Sequence, residues 1–344
     1  MRPRTAMEPD AIRASGRVPH GGEPDPSVLD FSANINPRIP DGVEEIYADA
    51  LEASRRYPDD DYRDYRAAAA EYVGCDPDDV IPTPGGLAAI RLALEATLEP
   101  DDEVLLPYPS FGEYAREVRL QGATPRFFSH DELLDADPAR YRLAVVCTPN
   151  NPTGEAADPD RLAAFADRCL EAGTTPLVDE AFLGFTVQPS MAGREGVVVA
   201  RSLTKLFGLP GLRAGFAVAT GDLREALAIA RPAWNLGTPA ARVGAHCMRQ
   251  REFVRETRER VARERARLRE ALEADPSFEV SPSDAPYLLL EVDGDVDELL
   301  ERARAADIAL RDARTFRGLG SHVRVAVKDR EANDRLLEVL CDGR

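Results

Sequence analysis

Apolar positions along the middle of the chain fall into two alternating patterns. Short unbroken runs, Val104-Leu105-Leu106, Leu143-Ala144-Val145-Val146-Cys147, Pro176-Leu177-Val178 and Val197-Val198-Val199-Ala200, are bounded by turn residues. Such runs read as strands buried on both faces. Between them, Leu87 to Leu98, Phe111 to Gln121 and Asp160 to Ala172 carry apolar residues at helical spacing. The alternation predicts an α/β fold: a large domain with a mainly parallel sheet flanked by helices. Ligands of such sheets collect at the carboxyl ends of the strands. Three polar segments fall there, at 148–154, 179–182 and 202–205.

The pattern changes after Trp234. From Arg249 to Arg269, arginines alternate with Glu252, Glu256, Glu259 and Glu264 at helical spacing, which predicts a long, solvated, ion-paired helix. Beyond it, strand-like Pro286 to Val292, a helical stretch from Asp297 to Ala306, and strand-like Val323 to Val327 suggest a smaller α+β domain. The first forty residues are loop-rich and free to pack against either part. The expected division is a large domain over 41–240, with 1–40 and 241–344 forming an N-terminal segment and the small C-terminal domain.

Composition narrows the partners. The chain has 344 residues, 44% hydrophobic, with a formal net charge of -18, so a sizeable core is available. Acidic residues are scattered, and only Lys205 and Lys328 are lysines. That balance suits a surface adapted to high salt, a halophilic habit. It argues against nucleic acid or an anionic membrane as partner. The five cysteines are far apart and lack CxxC spacing, as expected of reduced, mostly buried thiols in a cytoplasmic protein. The four histidines lack metal-ligand spacing, and no apolar segment is long enough to span a bilayer. Met7 is an alternative start, which would make residues 1–6 an extension.

Because lysine is so scarce, Lys205 in Ser202-Leu203-Thr204-Lys205 stands out. Gly208, Gly211 and Arg213 follow it closely. A lysine among hydroxyls, tight turns and a fixed positive charge suits a Schiff base with an aldehyde cofactor whose phosphate the neighbours hold. Pyridoxal 5'-phosphate also needs a carboxylate at its ring nitrogen, an anion site and a flat contact. Asp179, ending a strand, is the candidate carboxylate. Gly85, Gly86 and Leu87 open a helix whose N–H groups suit a phosphate, aided by Ser202 and Arg213. Phe111 could lie flat on the ring, and Asn151 could bond its phenolic oxygen, with a cis bond to Pro152 aiming the amide inward.

The order Phe111, Asn151, Asp179, Ser202 to Lys205, Arg213, Arg324 resembles that of the class I/II aminotransferase family of pyridoxal-phosphate enzymes. His20-Gly21-Gly22, Asp30 to Pro37, Arg56 to Asp59, Asp179 to Phe182, and Ala309 to Asp312 leading to Val323-Arg324 carry a closer likeness. They resemble the threonine-phosphate decarboxylase branch, which serves cobalamin biosynthesis and is related to the histidinol-phosphate aminotransferases. The resemblance implies the fold-type I architecture and a small phosphorylated amino-acid substrate. It further implies a homodimer with shared active sites, in which Tyr57 reaches the partner subunit's cofactor phosphate. Arg324 would grip the substrate carboxylate, and His20, Ser32, Asn34 and Arg311 would lie near the substrate, some holding its phosphate. Phe182 stands where many aminotransferases have tyrosine, Leu87 lacks the hydroxyl often found in the phosphate turn, and Pro286 replaces an Asn. Decarboxylation and transamination both remain open at this stage, since orientation at Cα selects between them.

Overall fold

The computed structural model describes residues 16–342, so the alternative start at Met7 lies outside the described residues. A two-residue strand, β1 (Leu29–Asp30), precedes the large sheet. That sheet comprises β2 (Val80–Thr83), β3 (Glu103–Tyr108), β4 (Thr124–Ser129), β5 (Leu143–Cys147), β6 (Thr175–Asp179), β7 (Val198–Ser202) and β8 (Gly215–Val218). Its spatial order is β2-β8-β7-β6-β5-β3-β4. Only β8 runs against its neighbours; the other pairs are parallel.

Alternation along β5 shows why its run is apolar throughout. Leu143, Val145 and Cys147 enter one buried cluster with Ala89 and Ile90 of helix Gly86–Thr97. Ala144 and Val146 enter another with Leu162 and Phe165 of helix Pro159–Ala172. With a helix on each face, neither set of side chains meets water. The second helix has clear local signals: Asp158 accepts from the N–H groups of Asp160 and Arg161, Pro159 opens it, and left-handed Gly173 ends it.

Strands β3, β5, β6 and β7 are those the apolar runs predict. Strands β2, β4 and β8 are not among them. Pro82 and Gly215 interrupt the strand signal in β2 and β8, and β4 is an edge strand whose residues are half-exposed. The helix expected from Phe111 starts two residues later, at Glu113. The arginine-rich helix spans Arg251–Glu273 and carries the expected ion pairs, such as Arg269 with Glu273 at 2.7 Å. It is not wholly solvated, however. Arg260 and Glu264 are buried because the N-terminal segment and the last helix pack over that face, offering Asn36 and Asn333 as partners at 2.6 and 3.1 Å.

The remaining strands are β9 (Phe278–Val280), β10 (Tyr287–Val292), β11 (Ile308–Ala309), β12 (Arg311–Asp312) and β13 (His322–Ala326). Four form an antiparallel sheet in the order β12-β13-β10-β9. The fifth, β11, pairs in parallel with β1. The loop-rich start of the chain therefore packs on the C-terminal part, and Phe31 accepts a further bond from the Ala326 N–H at 3.0 Å. One buried cluster runs from Val146 and Val178 through Phe182 to Tyr287 and Val325. Phe182 meets Tyr287 edge-on at 5.1 Å, joining the two sheets beside the strand ends. Among the described residues, no helix is long and apolar enough to cross a membrane.

The junction of β7, β8 and the Gly85 turn is tight. A Cβ at Gly215 would lie 2.6 Å from the Arg201 carbonyl oxygen and 2.7 Å from the Gly85 carbonyl carbon. Both are backbone, so neither can swing aside. Gly215→Ala is expected to destabilise the protein by about 1–3 kcal/mol, measured by denaturant unfolding. An unchanged midpoint would show that β8 has slack.

Candidate active site

The carboxyl ends of β5, β6 and β7 lie side by side, with Cys147 in register with Asp179, and Asp179 with Ala200. A cavity of about 320 Å³ opens over them. All but two of the expected site residues line it. Gly85 lies behind Arg213, and Tyr57 lies on the outer surface, 79% exposed and stacked on Trp234 with ring centres 4.5 Å apart.

Lys205 enters the cavity from the turn after β7. The N-terminal segment clamps that turn: the Asn36 N–H donates to the Lys205 carbonyl at 3.0 Å, and Asn36 Nδ2 donates to the Leu206 carbonyl at 2.7 Å. Gly208 permits this approach. Its φ is 67°, and a Cβ there would sit 2.4 Å from the Arg38 carbonyl oxygen. Burial, assisted by the positive charges of Arg324 and Arg213 and opposed by Asp30, pulls the Lys205 amine down to about 8.

Asp179 is buried at the end of β6. Its Oδ1 accepts from the Ala181 N–H at 2.9 Å, and its Oδ2 accepts from the Tyr114 hydroxyl at 2.5 Å. Burial pushes the carboxyl up, and these two donors pull it part of the way back. Phe111 also lines the cavity and meets Tyr114 edge-on at 5.5 Å. The Asn151–Pro152 bond is cis, and Asn151 Oδ1 accepts from Arg324 Nη1.

At one end, helix Gly86–Thr97 presents its N-terminus. A Cβ at Gly85 would lie 2.8 Å from Arg213 Nη2, and one at Gly86 would lie 3.2 Å from Ser202 Cβ. The glycines thus let backbone, hydroxyl and guanidinium converge. Arg311 and Arg324, register partners on β12 and β13, also line the cavity. Arg324 Nη2 donates to the Ser32 carbonyl at 2.9 Å, and its buried Nε has no partner. Burial, opposed by Tyr287 and assisted by Arg311, pulls Arg324 down to about 10. Arg311 Nη2 donates to the Pro19 carbonyl at 2.7 Å and to Thr315 Oγ1 at 2.8 Å.

The N-terminal residues form the outer wall. His20 Nε2 is 2.8 Å from Glu113 Oε1. The Ser32 hydroxyl is already engaged, donating to Asp30 and accepting from the Gly22 N–H. Asn34 Oδ1 is buried without a partner.

The family model for aminotransferase class I and II matches residues 26–340. The chain belongs to that family. It is 32% identical to histidinol-phosphate aminotransferase 2 of Archaeoglobus fulgidus, over 92% of this chain and 93% of that protein. It is also 32% identical to the threonine-phosphate decarboxylase of Salmonella typhimurium, over 93% and 92% of the two chains. Among solved structures, the histidinol-phosphate aminotransferase of Clostridium acetobutylicum superposes with a TM-score of 0.85 at 24% identity, over 92% of this chain and 99% of that one.

As a class I/II enzyme this chain depends on pyridoxal phosphate, and the cavity fits that group. The convergent turn at Gly85, Gly86 and Leu87, with Ser202 and Arg213, suits a phosphate. A depressed lysine suits an aldehyde, and a buried carboxylate suits a ring nitrogen. Sequence reasoning passed over Tyr114, which lines the cavity and bonds Asp179. Its signal was its place three residues beyond Phe111, at the start of the same helix. Thr204, part of the motif around Lys205, also lines the cavity, with its hydroxyl 2.9 Å from Ser202 Oγ.

Because the fold lowers the lysine below its ordinary 10.5, protonating it costs stability. That penalty is absent above 10.5 and complete below about 8. The cofactor-free amine is therefore expected to react with pyridoxal phosphate half-maximally near pH 8. Borohydride trapping across a pH series, with Lys205→Ala as the blank, measures this. A midpoint close to 10.5 would refute the depressed amine.

Proposed function

We propose that this enzyme removes the carboxylate of L-threonine O-3-phosphate as carbon dioxide, leaving (R)-1-aminopropan-2-ol O-phosphate for cobalamin biosynthesis. One observation carries the reading. Arg311 and Arg324 are buried, directly opposite each other on adjacent strands, and face the same cavity as Lys205. Among the described residues, their hydrogen-bond partners are all neutral. Two buried like charges side by side are unfavourable until an anion joins them. Threonine phosphate carries its carboxylate and phosphate on adjacent carbons, so one molecule answers both arginines. Arg213, against the Gly85 turn, is left for the cofactor.

Bound there, pyridoxal phosphate supplies an aldehyde for the substrate amine and a ring that accepts the electron pair released at Cα. The protein decides which bond releases it. Arg324, through its free Nε, takes the carboxylate; Arg311, which lines the cavity with His20 and Asn34, takes the phosphate. Two anchors would fix rotation about Cα and so select which bond there is broken. Carbon dioxide leaves without the electron pair, and Lys205, titrating near 8, can deliver the proton that completes the amine. The cavity's volume, at the small end for ligand sites, suits a compact substrate.

Histidinol-phosphate transamination with 2-oxoglutarate is the second reading, favoured by equal identity to an enzyme of that name. There the phosphate and the carboxylates arrive on separate molecules. We also infer a cytoplasmic homodimer. The exposed Tyr57 borders a groove with Arg56, Tyr62 and Arg242, and in a second copy would reach the first copy's cofactor phosphate.

Purified protein given O-phospho-L-threonine is expected to release carbon dioxide without any oxo acid. Strict dependence on 2-oxoglutarate with histidinol phosphate would decide for the aminotransferase. Arg311→Met and Arg324→Met should each lower kcat/KM by about two to three orders of magnitude. For the dimer, sedimentation should give twice the chain mass, and Tyr57→Phe should weaken cofactor retention. A monomer with full activity would refute the shared site.

A further inference from the structure

Tyr114 has no part in the roles assigned so far, yet it touches the residue at the centre of them. It is buried in helix Glu113–Leu120, one turn beyond Phe111. Its hydroxyl is 2.5 Å from Asp179 Oδ2, and the phenol is pushed well above its ordinary value by burial and by the Asp179 charge. It therefore stays protonated and acts toward Asp179 as a donor. The Ala181 N–H donates to the other oxygen, Oδ1. Each carboxylate oxygen has two acceptor sites, so one site on each remains for a ligand in the cavity.

The other groups around Asp179 do not compete for this role. Glu180, the next residue on the chain, is paired with Arg201 of β7 at 2.9 Å, so their charges offset. Cys147 of β5 is held neutral by burial, with Sγ 3.5 Å from the Pro149 carbonyl. Tyr287 of β10 is likewise held neutral and donates to the Asn150 carbonyl at 2.7 Å. Among these side chains, Tyr114 is the one that hydrogen-bonds to Asp179 directly.

We propose that Tyr114 is a positioning residue that holds Asp179 ionised and orients its carboxylate, so that the cofactor's ring nitrogen stays protonated. The inference deepens the proposed function and rests on Asp179 as the ring-nitrogen partner. The two donors favour the charged form and oppose the upward push of burial on Asp179. A phenol this far from titration keeps donating across the working pH range, so the partner of the ring nitrogen does not switch off in mild acid or base. Phe111 and Tyr114 are three residues apart at the start of this helix, so one short segment supplies both the flat contact and the support for the carboxylate.

The test compares holoenzymes of the parent protein, Tyr114→Phe and Asp179→Asn. It reads the cofactor dissociation constant by equilibrium dialysis, the pH midpoint of the bound cofactor's visible absorbance, and the melting temperature of the cofactor-free protein. Tyr114→Phe keeps the ring and removes the donor. Cofactor affinity is expected to fall about ten- to a hundredfold. The midpoint should rise by about one pH unit, because a less cationic ring withdraws less from the Lys205 nitrogen. A ring-fluorinated tyrosine placed at 114 is a stronger donor and should move the midpoint down. It also decides the matter if Tyr114→Phe does not fold, since an unmoved midpoint would then overturn the inference. A lower melting temperature in Tyr114→Phe with unchanged affinity and midpoint would make the contact purely structural, and overturn it too. If Asp179→Asn also leaves affinity and midpoint unchanged, the reading of Asp179 fails and that of Tyr114 fails with it. If Asp179→Asn alone changes them, only the role of Tyr114 falls.

Discussion

Arg324 and Arg213 bring positive charge to the cavity that holds Lys205, and burial leaves little water to screen it. Burial of the amine itself, assisted by these charges, loosens its hold on its proton, so that a neutral nucleophile is available near pH 8. The same charges draw anions inward, although the chain as a whole carries -18. Much of the surrounding construction keeps this arrangement from relaxing. Arg324 cannot turn toward water, because Ser32 and Asn151 hold its two terminal nitrogens. Arg311 is held by Pro19 and Thr315. The cations are fixed by neutral acceptors, which leaves their charge for a ligand.

Three distant parts of the chain meet through those bonds. Ser32 belongs to the N-terminal segment, Asn151 to the turn after β5, and Arg324 to β13. Asn36 ties the first of these to the Lys205 turn and to Arg260 of the long helix. The contact between Phe182 and Tyr287 closes the gap between the two sheets just behind the cavity. Motion of the small sheet against the large one would therefore be felt at Arg324, Asn151 and the Lys205 turn together. Coupling of this kind suits a site that must admit a small charged substrate and then hold it in one rotation.

Relatives with two different activities share this framework at equal identity. The parts that hold the cofactor cannot distinguish them, since both reactions need an amine, an acid and an anion site. Under the proposed function, discrimination falls to the paired arginines on β12 and β13, which line the cavity together with residues 18–21. On that reading, the number and spacing of anions accepted there would set which bond at Cα is broken.

Local chemistry made much of this readable from the chain alone. The parallel core strands follow from unbroken apolar runs, and Lys205 follows from its scarcity among forty-three basic residues. Asp179 and Asn151 follow from polar residues placed just after strands. Strands β2, β4 and β8 were hidden because Pro82, Gly215 and an exposed edge blur the hydrophobic signal. Arg311 and Arg324 were each nameable, but their face-to-face pairing depends on strand register across an antiparallel sheet. Nor could spacing alone reveal that Tyr114 bonds Asp179 across sixty-five residues. Residue type and local period determine which elements form and which groups could do chemistry. Distance between groups far apart in sequence, and the dry surroundings that shift their protonation, arise only when the chain is packed.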